Sequence, residues 1–209
     1  MFSTADRREA VDVVWSTAVR GDRDEARLLL TALVAEWGAV SPARVRLGHL
    51  CPRCGSSSHG RPVVVRPNTP TLYVSLARSP GLAVAAVTSA APVGVDMERA
   101  DSTAFAGFGT MALHPTERDG SPNDRAALWT RKEAVLKAVG LGVGWGPERV
   151  PVGPVQATHG RVEGLADGSA PVSWRALSLE PGYAGAVAVV GDQQPELRVR
   201  RAAAGDEAR

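Results

Sequence analysis

Lysine is nearly missing from this chain. Among 24 basic residues only Lys132 and Lys137 are lysine, and arginine serves everywhere else. Both lie in Trp129-Thr130-Arg131-Lys132-Glu133-Ala134-Val135-Leu136-Lys137-Ala138, on either side of one glutamate. An ammonium differs from a guanidinium in proton transfer and in point-charge contact with phosphate. Its confinement to a turn and a half of helix points to chemistry that arginine would not serve. The plain alternative is an amphipathic helix with an exposed Glu/Lys pair. Isoleucine is absent altogether, which reads as coding bias and makes the two lysines more informative. An excess of one charge is lacking too. The net charge of +2 excludes a polybasic surface for nucleic acid or anionic lipid. No apolar run approaches the ~20 residues of a membrane span, and the charged stretch Met1 to Ala10 does not read as a signal peptide, so neither is expected. Two cysteines make no disulfide framework, so a reducing cytoplasm is expected.

What is present suits a folded enzyme-sized chain. Its 209 residues, 44% of them hydrophobic, suffice for one domain or two small ones with a real core. Val11 to Trp15 is a β-branched run that predicts a strand. Leu29, Leu33 and Trp37 form a stripe at spacing four, which predicts a helix over Asp22 to Trp37 stopped by Gly38. A short strand is expected around Val45 and Leu47, then a loop from Cys51 to Pro62. Strands follow at Leu72 to Ser75, Leu82 to Val87 and Val93 to Met97, the first two joined around Pro80-Gly81. Arg99 to Thr116 lacks a period and reads as an irregular excursion. Asp124 to Val139 is the central helix, ended by Gly140, and further strands are expected at Val172 to Leu179 and Ala184 to Val190. Asp192 to Arg209 reads as a frayed tail.

The stretch from Leu76 to Ala85 aligns with Leu177 to Ala186, and Pro80-Gly81 matches Pro181-Gly182. Unless the likeness of two Ala/Val-rich hairpins is chance, the repeat predicts an α+β protein of two similar halves in pseudo-twofold arrangement, residues 1–91 and 92–191, with 192–209 as a disordered tail. A site would lie in the cleft between the halves, and internal duplication favours a monomer.

In Val93-Gly94-Val95-Asp96-Met97-Glu98, alternation along a strand places Asp96 and Glu98 on one face. Two neighbouring carboxylates repel unless something positive sits between them. A hard divalent cation, Mg²⁺ or Mn²⁺, does that with oxygen ligands; two solvated acids at a strand end are the ordinary alternative. Glu133 is the natural third carboxylate. Lys137, four residues on, shares its helical face, as does Trp129, four back, which could pack the helix on the sheet. Three acids with an ammonium describe a metal–phosphate site. Lys132 points about 100° away from Glu133 by helix geometry, toward a second phosphate or toward solvent.

Val93-Gly94-Val95-Asp96-Met97-Glu98, followed about 30 residues on by Trp129-Thr130-x-Lys132-Glu133-Ala134-x-x-Lys137-Ala138, resembles the paired signature of 4′-phosphopantetheinyl transferases of the Sfp type. The resemblance runs from His59 to Gly142, with Pro181-Gly182-Tyr183 matching a C-terminal turn. It implies the two-half fold of that family and transfer of the 4′-phosphopantetheine arm of coenzyme A to a serine of an apo acyl or peptidyl carrier protein, releasing 3′,5′-ADP. By the same resemblance Asp96, Glu98 and Glu133 hold the cation. Glu133 is the base, directly or through a metal-bound water, and Lys137 contacts the phosphates and assists the leaving group. Arg61, in His59-Gly60-Arg61-Pro62, is expected on a coenzyme A phosphate. Arg27 is a further contact or a solvated helix arginine. Glu117, in His114-Pro115-Thr116-Glu117, matches an acid ahead of the central helix. Where the family carries a histidine on the nucleotide's 3′-phosphate, this chain has Arg78, whose fork binds phosphate at any physiological pH. Carrier docking is expected over Arg99 to Thr116 through Phe105, Phe108 and Met111, unless the phenylalanines fold back onto the core.

Cys51-x-x-Cys54 suggests zinc. A closed zinc site takes four ligands in spaced pairs, however, and only His49 and His59 are near, neither at the usual spacing. The thiols therefore read as loop residues, and His114 and His159 as surface.

Overall fold

The computed structural model describes residues 10–17, 22–68, 70–165 and 168–202. The chain forms two units, Met1–Val93 with Glu196–Arg209, and Gly94–Pro195. In the first, strand β1 (Ala10–Thr17) leads to helix α1 (Asp22–Gly38), then β2 (Arg46–Leu50), β3 (Arg61–Arg66), β4 (Tyr73–Ser79) and β5 (Leu82–Thr88). In the second, β6 (Val93–Arg99) leads through the short helix α2 (Phe108–Ala112) to α3 (Pro122–Val139), then β7 (His159–Val162), β8 (Val172–Leu177) and β9 (Tyr183–Val190). Strand β10 (Glu196–Arg201) returns to the first unit. The architecture is mixed α+β, as expected.

The first unit's main sheet has the order β10-β1-β5-β4, and β2-β3 is a separate two-stranded sheet. On α1 the spacing-four stripe works as predicted. Leu29, Leu30 and Leu33 are buried with Val14, Val74, Ala83 and Ala85 of the sheet. Each such leucine contributes about 1.5–3 kcal/mol of apolar burial. Trp37 stays half-buried and donates its Nε1 hydrogen to Asp12 Oδ2 at 2.7 Å. Gly38 is still helical, and the left-handed residue that ends α1 is Ala39, at φ 48°.

The second unit's sheet has the order β6-β9-β8-β7. Helix α3 starts two residues before the predicted Asp124. The Ser121 side chain accepts from Asp124 N, Asp124 answers the Ser121 N–H, and Pro122 occupies the first turn. This is a capping box with a pre-set φ, and it satisfies two otherwise orphaned donors. Gly140 closes the helix at φ 77°, a conformation that costs glycine nothing. Leu128, Ala134, Val135 and Ala138 pack with Val172, Trp174, Ala186 and Ala188.

Each unit runs strand, helix, then hairpin, with the first strand beside the last of the hairpin: β1 with β5, and β6 with β9. Gly81 and Gly182, matched in the sequence repeat, sit in the two hairpin turns at φ 87° and 85°.

The expected tail requires correction over Glu196–Arg201. These residues form β10, parallel to β1, with Leu197 beside Val11 and Val199 beside Val13. Leu197 and Val199 alternate with charged residues, the period of a half-buried strand. The unit boundaries accordingly differ from the predicted 91/92 and 191/192, and the expectation for 203–209 lies outside the described residues.

Candidate active site

Strand β6 carries Asp96 and Glu98 two residues apart, hence on one face. Gly94 brings that strand against α3. A Cβ at Gly94 would lie 2.0 Å from Ala134 O and 2.9 Å from Lys137 Cβ, so no side chain fits between strand and helix here. The contact sets Asp96 beside the last turn of α3. Lys137 Nζ donates to Asp96 Oδ1 at 2.7 Å and to Val95 O at 3.1 Å. The Lys137 side chain is 30% exposed and that of Asp96 10%.

Glu133, one turn back on α3, is buried. Asp96 Oδ2 and Glu133 Oε1 are both buried without a hydrogen-bond partner. An unmet buried polar atom costs about 1–3 kcal/mol, so such atoms are rare outside sites completed by something else. Burial pushes the Glu133 carboxyl up to about 7; the Asp96 charge adds to the push and Lys137 opposes it. Burial also raises Asp96 above the usual carboxylate range against the pull of Lys137, and Glu98 adds to the rise. Glu98 accepts from the Arg99 N–H at 2.9 Å. Asp96 thus feels Glu98 on its own strand and itself acts on Glu133 of α3. Among the described residues, Asp96, Glu98 and Glu133 do not draw their oxygens within 4.8 Å of one another as a threesome. Like charges do not crowd further while an ammonium alone sits among them. Two orphaned carboxylate oxygens and a third acid nearby are a donor set that fits a hard divalent cation.

Lys132 does something else, and the expectation that it reaches a phosphate is corrected. Its side chain is 0% exposed and lies 2.7 Å from Glu117 Oε2. It also donates to Val150 O at 2.6 Å and Pro147 O at 3.3 Å, so all three of its N–H bonds are used. Burial lowers its pKa while Glu117 and Glu148 hold it up. Glu117 in turn accepts from His114 N and Val152 N, both at 3.0 Å. The acid ahead of the helix is therefore a buried knot, not a helix-end charge. Arg131 is buried as well, stacked 4.7 Å over Trp174 and donating to Pro154 O and Val155 O.

Trp129 packs beside Phe108 of α2 at 6.3 Å between ring centroids. Phe108 is folded into the core, correcting its place in a docking surface, whereas Phe105 and Met111 remain exposed. The expected phosphate arginines belong to the first unit. Arg27 is exposed on α1, Arg61 opens β3 half-buried, and Arg78 is exposed near the end of β4.

Residues 92–188 match the family model described as 4′-phosphopantetheinyl transferase superfamily. Over this segment, just under half of the chain, the sequence is similar to the 4′-phosphopantetheinyl transferase superfamily. No curated protein matches the sequence. The matched segment spans β6 to most of β9 and contains Asp96, Glu98, Glu133 and Lys137. The match supports phosphopantetheinyl transfer in general. Among the described residues no helix is long and apolar enough to cross a membrane.

Sequence reasoning missed two positioning features. Gly94 stands inside the strand motif, and Arg131 is one charge among several on the central helix. The small residue at Gly94, opposite Ala134 and Ala138, was the available signal for a close approach.

Proposed function

We propose that the chain moves the 4′-phosphopantetheine arm of coenzyme A to a serine of an apo acyl or peptidyl carrier protein, as an Sfp-type enzyme assisted by Mg²⁺ or Mn²⁺. The observation that carries the reading is the pair of buried, partnerless oxygens on Asp96 and Glu133 beside the Lys137 ammonium. Asp96, Glu98 and Glu133 would hold the cation, which supplies charge neutralisation for the phosphate oxygens.

The chain's own residues supply the rest. Glu133 takes the proton of the carrier serine as its oxygen bonds to the β-phosphorus and the bond to 3′,5′-ADP breaks. A carboxyl held near 7 is matched to proton transfer at neutral pH. Lys137, partly exposed, swings from Asp96 to meet the leaving phosphate's charge. Arg61 and Arg78 bind coenzyme A phosphates, Arg78 in place of the family's usual histidine, with Arg27 a lesser contact. Exposed Phe105 and Met111 meet an apolar face of the carrier.

The test is the mass of an apo carrier after incubation with the protein, coenzyme A and Mg²⁺. Gain of the phosphopantetheine mass, with 3′,5′-ADP released, is expected. A carrier that binds but keeps its mass across a panel of acyl and peptidyl carriers would make this a carrier-binding protein instead.

A further inference from the structure

The turn between β2 and β3 gathers chemistry that phosphopantetheinyl transfer does not use. Cys51, Cys54 and His59 each bring one ligand atom to within 4.8 Å of the others, which the other metal-type residues among those described do not do in threes. Cys54 Sγ lies 3.4 Å from His59 Nε2. Tetrahedral zinc with Zn–S of about 2.3 Å and Zn–N of about 2.0–2.1 Å would place such a pair about 3.6 Å apart. The thiols are free, and the backbone N–H groups of Cys54 and Arg53 hold Cys51 below the ordinary thiol range.

The backbone around the cluster is built for it. Gly55 N donates to Cys51 O at 2.8 Å, and Cys51 N donates to Ser56 O at 2.9 Å, closing a tight knuckle on Cys51. Gly60, at φ 105°, lies against the same residue. A Cβ there would stand 2.4 Å from Leu50 O and 2.6 Å from Cys51 N, so only glycine lets His59 return to the two thiols. The spacing of Cys51, Cys54 and His59 fits no paired zinc pattern; the fold of the turn supplies what the spacing did not show.

We propose that Cys51 Sγ, Cys54 Sγ and His59 Nε2 bind one Zn²⁺, with water in the fourth position. Two sulfurs and an imidazole select zinc over Mg²⁺, which takes oxygen ligands. Its ligands share no residue with the acids of β6 and α3, and its existence does not depend on the transfer reaction. Its structural effect is a staple. The β2-β3 hairpin forms its own two-stranded sheet, marginal by itself in water, and the metal ties its connecting turn shut.

The test titrates the reduced full-length chain with Zn²⁺ against a chromophoric chelator. One equivalent is expected, and Co²⁺ should give thiolate-to-metal charge-transfer absorption. Cys54 and His59 are exposed, so Cys54→Ser with His59→Ala should keep the fold and lose the equivalent. Asp96→Asn with Glu133→Gln should retain it. Bound zinc should also slow tryptic cleavage after exposed Arg53. No zinc bound by the wild type, an equivalent that survives Cys54→Ser with His59→Ala, or cleavage at Arg53 unchanged by bound zinc would each overturn the proposal.

Discussion

Helix α3 carries two lysine–carboxylate pairs of the same 2.7 Å length, and they could hardly differ more in their surroundings. Around Lys132 and Glu117 every polar group is satisfied: the ammonium has three acceptors and the carboxylate three donors. Around Lys137 and Asp96 the books are left open, with one buried oxygen of Asp96 and one of Glu133 unmet. A complete network fixes structure, and an incomplete one waits for a ligand. Equal distance therefore says little about role; the accounting of partners says more.

The largest effect expected from breaking the comparison falls on the open side. Glu133→Gln should lower the rate of carrier modification by about 10²–10⁴, the range for loss of a general base, with the thermal midpoint kept or raised. Stability should change its pH dependence as well. The unfolded carboxyl titrates near 4.5 and the folded one near 7. Between those values the unfolded chain releases a proton that the folded chain retains, so this carboxyl's contribution to stability is full below pH 4.5 and is lost as pH rises through about 7. The loss is about 3 kcal/mol by linkage. In Glu133→Gln that slope should shrink, leaving the part owed to Asp96. Denaturant titrations at pH 5 and pH 8 read the difference.

The closed side should respond in stability alone. Lys132→Met leaves Glu117 buried without its cation and should cost about 3–5 kcal/mol, read as a fall in thermal midpoint. Mg²⁺ separates the pairs further. At a hundredfold excess over its dissociation constant it should stabilise the wild type by about 2.7 kcal/mol, and Asp96→Ala should lose that gain. The smallest effect expected is Lys137→Arg, with about a tenfold slower transfer and stability within about 1 kcal/mol, because the pair is partly exposed. Transfer at full rate in that variant would mean that the scarcity of lysine reflects coding bias alone.

Much of this was legible beforehand, and the reasons are local. The shared faces of Asp96 with Glu98 and of Glu133 with Lys137 follow from strand and helix periods, and the end of the central helix from Gly140. The division of labour between the lysines was not legible, because Lys132's partner comes from Glu117, fifteen residues away and outside the helix. Burial of Arg131, Lys132 and Glu133 in succession defeats any reading by amphipathic face, since three consecutive charges point in three directions. Strand β10 hid behind polar Asp192 to Pro195, although Leu197 and Val199 alternate as a strand should. Three metal-type ligands in one turn depend on the backbone at Gly60, which residue spacing does not encode.

Strand β10 has a consequence for synthesis. Its place beside β1 makes the second unit an insertion within the first, since Gly94–Pro195 is made while the first sheet still lacks an edge. On the ribosome, β1, β5 and β4 must wait for about a hundred further residues before Glu196–Arg201 can close the row. A message cut short before Glu196 would leave β1 as a bare edge, open to pairing with another chain.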